Sequence, residues 1–137
     1  MGYDFVLARM HAQPAAFPAR IPDNTSQAVV PVGDPAPLYE ALRASALVGT
    51  DALEFQGTAV IWNTRDGGTL DINPSGLAIN VDTHANWDHV AQLLDLVRGV
   101  WPEAALMDFQ TGDLHDPASF RAFIERTRDE AARARGG

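Results

Sequence analysis

The chain of 137 residues contains no cysteine and no lysine. The first absence excludes disulfides, thiolate metal centres and cysteine nucleophiles together, and it points towards a reducing compartment. The second leaves arginine as the only basic residue besides histidine, ten against eighteen acids, for a net charge of −8. Long apolar runs are missing too: none approaches the roughly 20 residues that cross a bilayer. The opening MGYDFVLARM has no basic stretch followed by a long apolar run, and it carries Val6 where a myristoylation signal needs Ser or Thr. These absences lead to the expectation of a cytoplasmic protein with no membrane partner.

Chemistry-bearing motifs are equally scarce. Gly67-Gly68 lacks the following lysine with which a P-loop reaches phosphate, and no G-x-S-x-G elbow for acyl transfer is present. No cofactor is expected. The charge is uneven: residues 117–137 hold five arginines and three acids, whereas residues 1–116 hold five arginines and fifteen acids. Such an acidic body disfavours nucleic acid and anionic lipid, which are held by basic patches. It suits a basic partner, or simply keeps the protein in solution.

What is present is enough for one folded unit. Hydrophobic residues make up 46% of the chain, and a chain of this length buries a core without metal or disulfide staples. Tyr3–Met10 reads as an interior strand, because both alternating faces carry apolar side chains. Residues 11–37 hold six prolines and predict irregular chain, with only Gln27–Val30 able to form a short strand. Leu38, Ala41, Leu42 and Ala46 have helical spacing and place a helix over 36–47, with Asp34 and Pro35 at its start. Gly57–Asn63, Thr69–Asn73 and the alternation from Leu77 to Val81 predict an antiparallel three-strand meander, joined at Arg65–Gly68 and Pro74–Gly76. Trp87, Val90, Ala91, Leu94, Val97 and Trp101 form one helical stripe that Pro102 ends. Ala105–Phe109 reads as a last strand and Asp116-Pro117 as the start of a last helix, with residues 133–137 fraying. The order β-α-β-β-β-α-β-α predicts a single α+β domain over residues 1–137. Its sheet is expected to be mainly antiparallel, of four to six strands, with three helices packed on it.

The segment VDTHANWDHV, residues 81–90, concentrates the candidate metal chemistry. It resembles the Thr-His-x-His-x-Asp-His motif of the metallo-β-lactamase superfamily, with Thr83, His84, Asp88 and His89 matching in order. That resemblance implies a metal-dependent hydrolase around His84, Asp88 and His89; a smaller site unrelated to that family, built from the same three residues with His115, is the alternative. Four departures stand against the resemblance. Asn86 replaces the second histidine, and Ala91 and Gln92 replace the glycine pair. Only His115 lies downstream, and the family's layered fold needs a longer chain. A strand-to-helix junction accounts for the same residues. Val81 ends a strand, Asp82, Thr83 or Asn86 caps the helix, and Asp88 sits in its first turn. The run DFQTGDLHD brings Asp108, Asp113 and Asp116 near His115, a set suited to turns and caps or to a cation.

In size, acidity, the strand opening YDFVLAR and the strand-turn-helix ending MDFQTGDLHDP, the chain resembles the small acidic single-domain immunity proteins of bacteria. That resemblance implies a non-enzymatic protein that binds and occludes a cognate protein toxin with a basic surface. The partner contacts then expected are Asp66, Asp71, Asp82, Trp87 and Asp88, with Asp66, Asp71 and Asp82 forming an acidic patch on the outer face of the meander.

Overall fold

A computed structural model describes residues 3–45 and 52–136. The chain forms β1 (Tyr3–Met10), β2 (Ala19–Arg20), α1 (Thr25–Ala28), β3 (Val29–Val30), α2 (Ala36–Ala44), β4 (Ala52–Gln56), β5 (Ala59–Asn63), β6 (Thr69–Pro74), β7 (Ile79–Thr83), α3 (Trp87–Val100), β8 (Ala104–Asp108), β9 (Asp113–His115) and α4 (Pro117–Gly136). All pairings are antiparallel, in the order β2-β9-β8-β1-β7-β6-β5-β4, with β3 also paired to β1. The α+β class and the antiparallel sheet therefore match the expectation.

The number of elements does not. Nine strands and four helices are present among the described residues, against the expected four to six strands and three helices. The additional elements are short. The proline-rich stretch adds β2, which meets β9, and the single turn α1, which takes Gln27 and Ala28 of the strand expected at Gln27–Val30 and leaves Val29–Val30 as β3, paired to β1. Two-residue strands leave no periodic trace in a sequence. Strand β4 does leave one: Leu53 and Phe55 turn inward between exposed Glu54 and Gln56, and it extends the meander to four strands. Positions 46 and 47 of the expected 36–47 helix lie outside the described residues.

Strand β1 lies between β7 and β8 and serves two cores. Phe5 and Leu7 point to the helix layer, where they join Leu38 and Leu42 of α2, the α3 stripe from Val90 to Val97, and Phe120 and Ile124 of α4. The inward residues of the meander, Val60, Trp62, Leu70, Ile72, Ile79 and Val81, complete that core. Ala8 and Met10 point the other way, into a smaller cluster with Val29, Ala105, Met107 and Leu114. Phe17, Ala19, Ile21 and Ala28, from the proline-rich stretch, pack against this second cluster. One end of the second sheet face is thus covered. The other end, over β5, β6, β7 and the start of β1, carries exposed Asp4, Asp71, Asn73 and Asn80.

Candidate binding face

The strand-to-helix junction folds around its own polar groups. Thr83 Oγ accepts the Ala85 N–H at 3.1 Å, and Asn86 caps α3 by accepting the Asp88 N–H at 3.0 Å. Arg128 of α4 donates to Asn86 Oδ1 at 2.6 Å and to Asp88 at 2.8 Å, tying the two helices together. His89 lies edge-on to Trp62, with ring centroids 5.3 Å apart. His84 points to the opposite side of the sheet, with Nε2 3.7 Å from an Asp82 oxygen. Among the described residues, no group of three or more potential ligands converges as a metal would need. Of the four candidates, Asp88 is paired to an arginine, His89 is packed on an indole and His84 is on the far face.

The fourth, His115, is fully buried. Its Nδ1 lies 2.9 Å from Ser119 Oγ, and its Nε2 has no hydrogen-bond partner among the described residues. Burial pushes its pKa below the usual imidazole value, outweighing the opposing pull of Asp113, Asp108 and Asp116. The neighbouring acids have structural work. Asp116 accepts the Ser119 N–H at 2.8 Å while Ser119 Oγ accepts the Asp116 N–H, a reciprocal cap on α4. The fully buried Asp108 accepts from Tyr3 Oη at 2.9 Å and from the Gln110 N–H at 3.0 Å. Burial, followed by the hydrogen bond to Asp108 and its charge, raises the Tyr3 pKa.

The open sheet face has a different character. Strand register sets Asp4 opposite Asp82 and Asp82 opposite Asp71, so three carboxylates stand in one row across β1, β7 and β6. The row continues through Ile61 to Glu54 on β5 and β4. The next row runs through Val6, Asn80 and Asn73. Asp4, Asp82 and Asp71 of the first row and Val6, Asn80 and Asn73 of the second line a hollow of about 440 Å³. Asp4 and Asp71 make no ion pair among the described residues, and Asp82 has only His84. Like charges directly opposite each other in a sheet cost stability, so folding alone does not favour this row.

The five expected partner contacts do not share this face. Asp71 and Asp82 do, and Asp4, which sequence reading passed over, joins them. Its position opposite Asp82 depends on the pairing of residues about eighty positions apart. Asp66 sits in the β5–β6 turn, where its carboxylate accepts a hydrogen bond from the Thr64 hydroxyl. That bond holds its pKa below the usual carboxylate range. The same turn packs tightly on the junction: a Cβ on Gly68 would lie 2.6 Å from Ala85 Cβ and 2.7 Å from Ala85 Cα. Trp87 is half-buried against Tyr3, Phe5 and Phe123, and Asp88 pairs with Arg128, so both belong to the helix layer.

No protein-family model matches the chain, and no solved structure matches it. A probable tRNA-dihydrouridine synthase from Treponema pallidum (strain Nichols) is 30% identical over 112 residues, covering 69% of this chain and 32% of that protein. The chain thus spans about a third of that relative's length. Among the described residues, no helix is long and apolar enough to cross a membrane.

Two measurements check the electrostatics. Asp71→Asn removes one member of the carboxylate row and is expected to raise stability at low salt. The gain should lie in the lower part of the about 0.2–1 kcal/mol range of cross-strand pairs. Denaturant unfolding should show that gain shrinking at high salt as screening tightens; a loss of stability on neutralisation contradicts the reading of the row. His115 gives the second. Its folded pKa lies below the unfolded value of about 6.5, so the unfolded chain takes up its proton first as pH falls. The stability this contributes is complete above about pH 6.5 and declines below it. Urea midpoints compared between about pH 7.5 and 5.5 should fall less in His115→Asn than in the natural protein, and an equal fall rules His115 out as a source.

Proposed function

We propose that this chain is a non-enzymatic binding protein of the immunity type, which neutralises a cognate protein toxin by covering a basic surface with its open sheet face. The observation that carries the proposal is the in-register row Asp4, Asp82 and Asp71. Among the described residues, these carboxylates neither cap helices nor neutralise arginines, unlike Asp88, Asp95, Asp113 and Glu103. A basic partner relieves their mutual repulsion on docking. Its guanidinium groups can take paired carboxylate oxygens in charge-assisted hydrogen bonds. The charge also steers encounter, which suits an inhibitor that must reach its target quickly.

The name of the Treponema pallidum protein suggests a tRNA partner instead. The charge argues against this. Binding a phosphate backbone draws on released counterions and clustered cations, whereas the open face presents carboxylates and the whole chain has a net charge of −8. A protein partner with a positive surface fits the same face without that penalty.

The test is a paired capture from lysate of the native host, read by mass spectrometry. The natural protein is one bait and the double variant Asp71→Lys, Asp82→Lys is the other. The expected result is a stoichiometric basic protein held by the natural bait, released at high salt and missing from the variant. A partner retained equally by both baits, or one that is itself acidic, contradicts the proposal.

A further inference from the structure

Leu77 and Phe109 are the exposed large hydrophobic residues among the described ones, at 52% and 57% exposure. They come from separate connections, Leu77 between β6 and β7 and Phe109 after β8. Both nevertheless rim one hollow of about 210 Å³ on the same side of the sheet as the carboxylate row. Its remaining lining includes Val6, Ala8 and Met107 of the sheet, with α1 along one side. A scattered exposed leucine needs no explanation, but two large apolar groups framing one concavity form a patch. The volume is below the about 300–1,000 Å³ of small-molecule sites, and it suits a single inserted side chain. Val6 also lines the neighbouring hollow that holds Asp4, Asp71 and Asp82. The apolar recess and the acidic row are therefore one continuous surface, the arrangement of an interface with an anchor pocket beside a charged margin.

We infer that this recess is the anchor pocket for a basic partner polypeptide, taking one aromatic or branched aliphatic side chain while neighbouring arginine or lysine residues meet Asp4, Asp82 and Asp71. The inference rests on the proposed docking of a basic partner on the open face, and it adds where the affinity comes from. Charge sets the encounter rate and the salt dependence. The buried anchor sets the residence time, as apolar groups at interface centres do.

The experiment is selection of a random peptide library, displayed on phage, against the intact protein, followed by binding measurements on the enriched peptides. The expected peptides carry an apolar anchor flanked by basic residues. They bind Leu77→Ser, Phe109→Ser at least tenfold more weakly, and they bind Asp71→Asn, Asp82→Asn more weakly with a flatter salt dependence. Both double variants change exposed or half-exposed side chains, and circular dichroism confirms that they fold. Basic peptides without an apolar anchor, bound equally by the Leu77/Phe109 variant, overturn the pocket and leave the acidic-face reading standing. Apolar peptides without basic residues, indifferent to the Asp71/Asp82 variant, overturn the acidic face. Failure to enrich any peptide that depends on either pair overturns the pocket.

Discussion

The structure depends on β1 being buried from both sides. Its pairings to β7 and β8 make it a hub of the sheet, and its alternate residues feed two separate apolar clusters. Shifting its register by one residue would exchange Phe5 and Leu7 with Val6 and Ala8. It would also move Asp4 from the open face into the helix layer beside Trp87 and Phe120. The same pairing that builds the core therefore places the first carboxylate of the acidic row. Fold and acidic row are consequences of one registration.

The layer opposite the helices is only half finished. At the β9–β8–β1 end, β2 and β3 pair to β9 and β1, and Phe17, Ile21 and Ala28 of the proline-rich stretch pack against the cluster that holds Met10, Val29 and Leu114. Over β7, β6 and β5 no comparable cover exists among the described residues. There the sheet presents carboxylates and asparagines, and the boundary between the halves is the apolar recess at Val6 and Met107. A sheet face left open usually carries polar residues of mixed kind. This one carries acids in direct opposition, of which Asp4 and Asp71 make no ion pair among the described residues, at a cost to folding.

Much of the framework is legible in the sequence. β1, β6, β8 and α3 follow their periodic apolar patterns to within a residue or two, and Asn86 caps α3 from among the three candidates at the junction. The histidine motif resolves into separate local roles, because strand alternation sends His84 one way while the helix carries His89 the other. Elements held only by distant pairing, such as β2 on β9, are not legible. The acidic row is legible in part. Asp71 and Asp82 follow from alternation within a predicted meander, whereas Asp4 requires knowing that β7 lies beside β1. Trp87 and Asp88, expected as contacts, are engaged by Tyr3 of β1 and Arg128 of α4, partners that no local pattern announces.

The most direct measurement is hydrogen–deuterium exchange on the complex with the partner isolated from the native host. Docking on the open acidic face predicts added protection in β6, β7 and the β8–β9 connection around Phe109, with α2, α3 and α4 unchanged. Protection concentrated on the helix layer, with the open face exchanging as it does in the free protein, would contradict it.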